Sequence, residues 1–226
     1  MGKDHSLEEL YHIDEVDVFT LELKKALKRH FKQGRGEQDV LRNCVKKACS
    51  IISDVAPQLK PEIKSDLVLA IGYWARWGVD ADIERVRECL ENLVRSEDRH
   101  TRAVACSAFG FLFYRVIPEG DYFVWDSFVS SLKGDGFEKT AVLFGLHNAI
   151  INEELVLTES GINALVGLTF GGEQDIREDA SSVLAMYSPR AWEYLGRFRD
   201  KFESSISTEI SSRVTENLRL ILDNLG

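Results

Sequence analysis

The sequence predicts an all-α fold made of stacked helix pairs, and three observations lead there. Apolar residues recur at spacings of three and four along nearly the whole chain, as in Leu21, Leu23, Leu27 and Phe31, or Ile83, Val86, Leu90, Leu93 and Val94. That period belongs to a helix with one buried face, and no convincing strand-like alternation interrupts it. A small residue after an apolar pair also returns at a near-constant offset. It appears in Ala70-Ile71-Gly72, Ala108-Phe109-Gly110, Leu143-Phe144-Gly145 and Val183-Leu184-Ala185, separated by 38, 35 and 40 residues. Finally, the four prolines and three glycine-rich breaks fall where the period lapses, leaving short connections that make consecutive helices antiparallel neighbours.

Each element follows from this punctuation. Residues 6–12 read as a short helix and 15–33 as a long one, closed by Gly34-Arg35-Gly36. The stretch 38–56 stops at Pro57, and 62–77 begins after Pro61, in a first turn where a missing N–H is tolerated. Helices over 82–96 and 99–116 follow, the second ending ahead of Pro118. Residues 120–132 are closed by Gly134-Asp135-Gly136, which opens 137–152, and 159–170 stops at Gly171-Gly172. Pro189 separates 174–187 from 189–204, and 208–224 completes the set. Residues 1–37 thus read as N-terminal helices and 38–226 as a repeat array, forming one continuous domain.

Within the array, a basic residue precedes the small one by eight positions: Lys64, Arg102 and Arg177, with Phe137 in that place in the third copy and Lys139 two residues later. Asp98 and Asp175 stand just ahead of two of these, and Ile210 to Leu225 reads as a degenerate last copy with Arg213 as its cation. Each unit of about 37 residues holds two helices, and one pair alone cannot bury both apolar faces, so neighbouring pairs must stack. The small residue lets helix backbones approach closely while the apolar pair fills the space between layers.

The pattern resembles the HEAT-repeat family, whose second helix opens with an Asp, carries a basic residue in its first turn and continues to an Ala-Leu-Gly-like triplet. Asp98-Arg102-Ala108-Phe109-Gly110 matches best, then Asp175-Arg177-Val183-Leu184-Ala185. The resemblance covers roughly residues 38–225 and implies a right-handed α-solenoid of about five HEAT-like helical pairs. It specifies architecture far better than activity.

With 226 residues, 44% apolar and 29% charged, the chain has globular composition and enough length for a core without metal or disulfide staples. The formal charge of −9 argues against coating nucleic acid or anionic membrane with the whole surface. The average conceals an acidic head, net −6 over residues 1–23, and a basic segment, net +7 over 24–47. Lys24, Lys28 and Lys32 share a helical stripe flanked by Lys25 and Arg29, with Arg35 in the following turn. These cations form an alternative, nucleic-acid-binding surface, against the plainer reading of a solvated helix face. Cys44, Cys49, Cys89 and Cys106 lack metal-ligand spacing and read as reduced, packed thiols. The five histidines are scattered, and no uncharged stretch exceeds 13 residues, so neither a metal site nor a membrane span is expected. The N-terminus MGKDHSLEEL lacks an apolar signal core, which points to the cytoplasm.

No catalytic residue or cofactor motif is nominated. Trp125-Asp126-Ser127 resembles the Trp-Asp-Ser segment of HEAT-like alkylpurine DNA glycosylases. The catalytic aspartate of those enzymes would fall three residues later, where this chain has Val129 and Ser130. His147-Asn148 with Glu153-Glu154 is the one concentration of acid and base groups, at a helix end. The expected function is instead that of a non-enzymatic scaffold or adaptor binding another protein. In the second helices, positions just past the small residue, and one turn on, would line the concave wall. Tyr73 and Arg76, Phe111 and Tyr114, and Leu146 are the expected partner-binding residues, a composition enriched at interfaces.

Overall fold

A computed structural model describes residues 7–33, 38–55, 58–77, 83–113, 122–152 and 156–226. The helices run α1 (Leu7–Tyr11), α2 (Val16–Gln33), α3 (Gln38–Val55), α4 (Pro61–Trp77), α5 (Ile83–Val94) and α6 (Arg99–Phe113). They continue through α7 (Tyr122–Leu132), α8 (Gly136–Ala149), α9 (Glu159–Phe170), α10 (Gln174–Leu195), α11 (Arg199–Ile206) and α12 (Ser212–Asn224). No strand occurs among the described residues, and no described helix is long and apolar enough to cross a membrane. The fold is all-α.

Local chemistry sets the boundaries. Pro61 is the first residue of α4, where its missing N–H breaks no helical hydrogen bond. At the start of α8 the Glu138 backbone N–H donates to the Asp135 carboxylate while the Asp135 N–H donates to the Glu138 carboxylate, satisfying two helix-end donors at once. Thr158 and Ser211 cap α9 and α12 through single side-chain bonds.

The break expected at Pro189 is present but displaced: α10 joins two helices across a kink just past the proline. The proline removes the donor that would reach the Ala185 carbonyl, and the Ser188 hydroxyl takes its place, donating to Ala185 O at 2.8 Å. The irregularity falls two residues later, at Ala191 (φ −124°, ψ 19°), and the helix ends ahead of Gly196 and a short 3-10 turn.

The helices lie in two rows. In one, α2, α4, α6, α8, α10 and α12 each pack on the next; in the other, α1, α3, α5, α7 and α9 do the same. Each even-numbered helix also packs on the odd-numbered one before it. A single apolar cluster extends from Leu10 to Ile221 through the space between the rows, so α1 and α2 share the core of the later units. The recurring small residue sets the helix spacing. A Cβ on Gly110 would lie 2.0 Å from the Gly145 carbonyl oxygen, and one on Gly72 would lie 2.8 Å from the Ala108 Cβ. Only residues without bulk allow α4, α6 and α8 to approach this closely.

Two of the recurring cations tie their unit to the next. Lys64 of α4 pairs with Asp98, ahead of α6, at 3.1 Å, and Arg177 of α10 pairs with Glu209, ahead of α12, at 2.9 Å. Arg102 and Arg177 also donate to turn carbonyls in front of their own helices, Ser96 O at 2.6 Å and Gly172 O at 3.0 Å. Asp98 accepts from the Thr101 hydroxyl and backbone N–H as well.

Candidate functional site

The middle of the even row holds the most unusual surface. Between Thr101 and Phe113 every residue of α6 but Arg102 is buried, because α4 and α8 close over it through the glycine contacts. Tyr73 of α4 sits half-buried with its ring 4.8 Å from that of Phe111, and Phe111 meets the Phe144 ring of α8 edge-on at 5.6 Å. The row of rings ends in the open: Phe144 is 45% exposed.

A parallel row lies near the N-terminal ends of the same helices. The Ser65 hydroxyl is 2.7 Å from His100 Nε2, and the His100 ring stacks on Phe137 at 4.2 Å with 8° between planes. Phe137 is 46% exposed. It precedes Phe144 by seven residues, two helical turns or about 10.5 Å on one face of α8. Thus α8 shows two large rings to solvent, among Thr140 and His147, where an amphipathic helix would carry polar residues throughout.

Beside these rings, Arg76 of α4 reaches over α6 and donates to the Asn148 side-chain carbonyl of α8 at 3.0 Å, while the Asn148 amide donates to Phe144 O at 2.8 Å. His147 is exposed next to them. On α10 the charges of Arg213 and His147 reach Asp179, whose pKa is raised by burial.

The expected binding residues are therefore partly rearranged. Tyr73 sits half-buried against Phe111, and Arg76 is a tie across α6 to Asn148. Phe111 and Leu146 are corrections: each is only 2% exposed and offers a partner almost no area. The close α6–α8 approach buries Leu146, and Phe144, two residues earlier, is the α8 residue that meets Phe111. Tyr114 lies outside the described residues. Phe137 and Phe144 are surface groups that the repeat pattern did not nominate. The available signal was the third copy itself, which carries a phenylalanine where the others carry a cation.

The basic segment is largely tied into the fold. Lys24 pairs with Asp66 of α4 at 2.5 Å, and Lys25 with Glu22 at 2.6 Å. Arg42 pairs with Asp39 at 3.1 Å. Lys47 donates to the Tyr11 and Ile13 carbonyls at 2.8 and 2.7 Å and lies over the Phe19 ring. Lys28 and Arg29 are exposed; Arg35 and the Lys32 side chain lie outside the described residues. This is more the behaviour of a helix docked by its charges than of a free cationic stripe.

The side chains of Trp125 and Asp126 are likewise outside the described residues, as are Glu153 and Glu154. Val129 is buried and Ser130 exposed, so no carboxylate stands at the position the glycosylase comparison required. Among the described residues no group of three or more His, Cys, Asp or Glu side chains is arranged to hold a metal.

The whole chain is similar to crystal structures of engineered proteins from the Northeast Structural Genomics Consortium. One shares 16% identity at a TM-score of 0.64, covering 100% of this chain and 99% of the other. A second shares 15% at 0.65, covering 100% and 97%. A third shares 15% at 0.62, covering 97% of this chain and 57% of its own. At such identities the likeness concerns the fold alone. No protein-family model and no curated protein sequence matches the chain.

Proposed function

We propose that this chain is a non-enzymatic interaction scaffold, a right-handed solenoid of about five HEAT-like helical pairs that binds another protein on the concave face of its even-numbered helices. The observation that carries this reading is the pair of ring rows ending on Phe137 and Phe144. Large exposed apolar groups on one helix face, flanked by Tyr73, Arg76 and His147, make a surface of the kind partners cover. Phe137 is held from behind by stacking and Phe144 by an edge-on ring, so little side-chain freedom is lost when a partner docks. Covering each half-exposed ring is worth about 1–2 kcal/mol, so affinity builds from several modest contacts along the row.

The test compares the parent chain with Tyr73→Ala and Phe144→Ala as baits in affinity capture from native extract, alongside circular dichroism and melting. The expected outcome is proteins retained by the parent and lost by both variants, with helical signal and melting preserved. Equal retention by parent and variants sinks the proposed face. Collapse of the helical signal reassigns the rings to the core.

A further inference from the structure

We propose that the crevice between α1 and α3, with Arg85 of α5 in its wall, is a binding site for a small soluble di- or triphosphate. The crevice has a volume of about 640 Å³, inside the range of about 300–1,000 Å³ usual for small-molecule sites. Among its described lining residues are three cations, Lys46, Lys47 and Arg85, against one carboxylate, Asp14. In a chain whose net charge is −9, this is a local reversal of sign.

The fold assembles these groups from three helices. Asn43, Lys46 and Ser50 stand three and four residues apart, so one face of α3 presents them together. Packing of α1 and α5 on α3 brings up the other walls. Lys47 fixes one of them, its ammonium donating to the Tyr11 and Ile13 carbonyls at 2.8 and 2.7 Å. Both oxygens carry partial negative charge that would repel an anion, and the ammonium covers it while holding the turn to α3. Lys46 and Arg85 are not spent in this way. Among the described residues neither makes an ion pair or a side-chain hydrogen bond, and the Asn43 amide makes none either. The Arg85 guanidinium offers two parallel N–H donors to a pair of phosphate oxygens, and the Lys46 ammonium adds a point charge on a flexible stem. Two unspent cations suit two neighbouring phosphoryl groups, where a single carboxylate would leave one of them unmatched.

The surroundings favour a small soluble ligand over an extended polyanion. Tyr11 and Asp14 belong to the acidic head, which carries net −6 over residues 1–23. A bilayer or a nucleic-acid strand would meet that charge over a broad area, whereas a compact phosphate enters between the walls and meets the cations alone. The crevice lies on the odd-numbered row, away from the rings on α8, so this reading and the scaffold reading stand or fall separately.

The test titrates the full chain with inorganic pyrophosphate by calorimetry at an ionic strength of about 0.15 M, where loose attraction between exposed charges is largely screened. The expected result is saturable one-to-one binding, weakened about tenfold in Lys46→Gln and in Arg85→Gln, as the loss of one charge-assisted donor requires. Lys28→Gln, which removes an exposed cation of α2 outside the crevice, should bind like the parent. Circular dichroism checks that the variants keep their helices. Absence of saturable binding by the parent overturns the proposal, whatever the variants do. So does equal weakening by Lys28→Gln, which would reduce the effect to overall charge, or full binding by both Lys46→Gln and Arg85→Gln. Sedimentation with vesicles containing a phosphoinositide bisphosphate is the parallel arm. The chain should stay in the supernatant, and co-sedimentation without pyrophosphate binding replaces the soluble ligand by a lipid surface.

Discussion

Asp98 shows how much a single side chain of the repeat pattern carries. Burial works to raise its pKa, but the Thr101 hydroxyl and N–H and the Lys64 ammonium outweigh burial and hold it at about 2, below its ordinary 3.8. A carboxyl depressed on folding stabilises the native state above its unfolded pKa, and that contribution is lost as the pH falls through the folded one. Asp98→Asn should therefore lower the urea midpoint at neutral pH, where it leaves the buried Lys64 without its charge partner. The gap to the parent should narrow from about pH 4 to about pH 2. A gap of constant size across that range would mean that the carboxylate is not what matters. Because Asp98 is nearly half exposed, solvent screens the pair and the effect is modest.

At the scale of the element, the break inside α10 was legible to within two residues: Pro189 deprives the carbonyl four residues earlier of its donor, and the two helices meet at Ala191. What the linear reading does not contain is that the neighbouring Ser188 supplies a replacement, and that Asn224 of α12 holds that hydroxyl in turn, donating to it at 2.9 Å. Ser188→Ala should cost about 1–3 kcal/mol, the penalty for a buried polar group left unmatched. Most of that cost should vanish when Ser188→Ala is made on a Pro189→Ala background, where a backbone N–H returns. Equal costs in the two backgrounds, read from chemical unfolding, would show that the hydroxyl does not serve the carbonyl. Most other helices were legible to within a few residues, because glycine, proline and capping residues mark their ends locally; the helix expected over 189–204 is instead the end of α10, a 3-10 turn and α11 from Arg199. The small residues at 72, 110 and 145 were legible too, since spacing alone implies close packing. The orientation of α8 was not. Whether Phe144 or Leu146 faces outward depends on how closely α6 and α8 cross, a property of two helices that no single-helix pattern encodes.

For the whole molecule, packing runs between successive neighbours along the two rows. Such an arrangement transmits damage poorly over distance, because each helix draws its contacts from adjacent ones. Phe202, fully buried near the C-terminal end between the Phe170 and Phe198 rings, offers the test. Phe202→Ala should remove about 3–5 kcal/mol locally. Hydrogen exchange should then accelerate in α11 and α12 while amides of α4 and α6 keep their protection. Uniform acceleration through the chain would instead mark one cooperative globule. Cation and carboxylate meeting across the α4–α6 and α10–α12 seams also impose an order on the units. A module cut from one place and spliced into another joins cleanly only if its new neighbour supplies the matching charge. The third unit, bearing Phe137 where the others bear a cation, is exempt from that grammar, and the seam before α8, joined by stacked rings, tolerates a change of neighbour on different terms from the seams held by salt bridges.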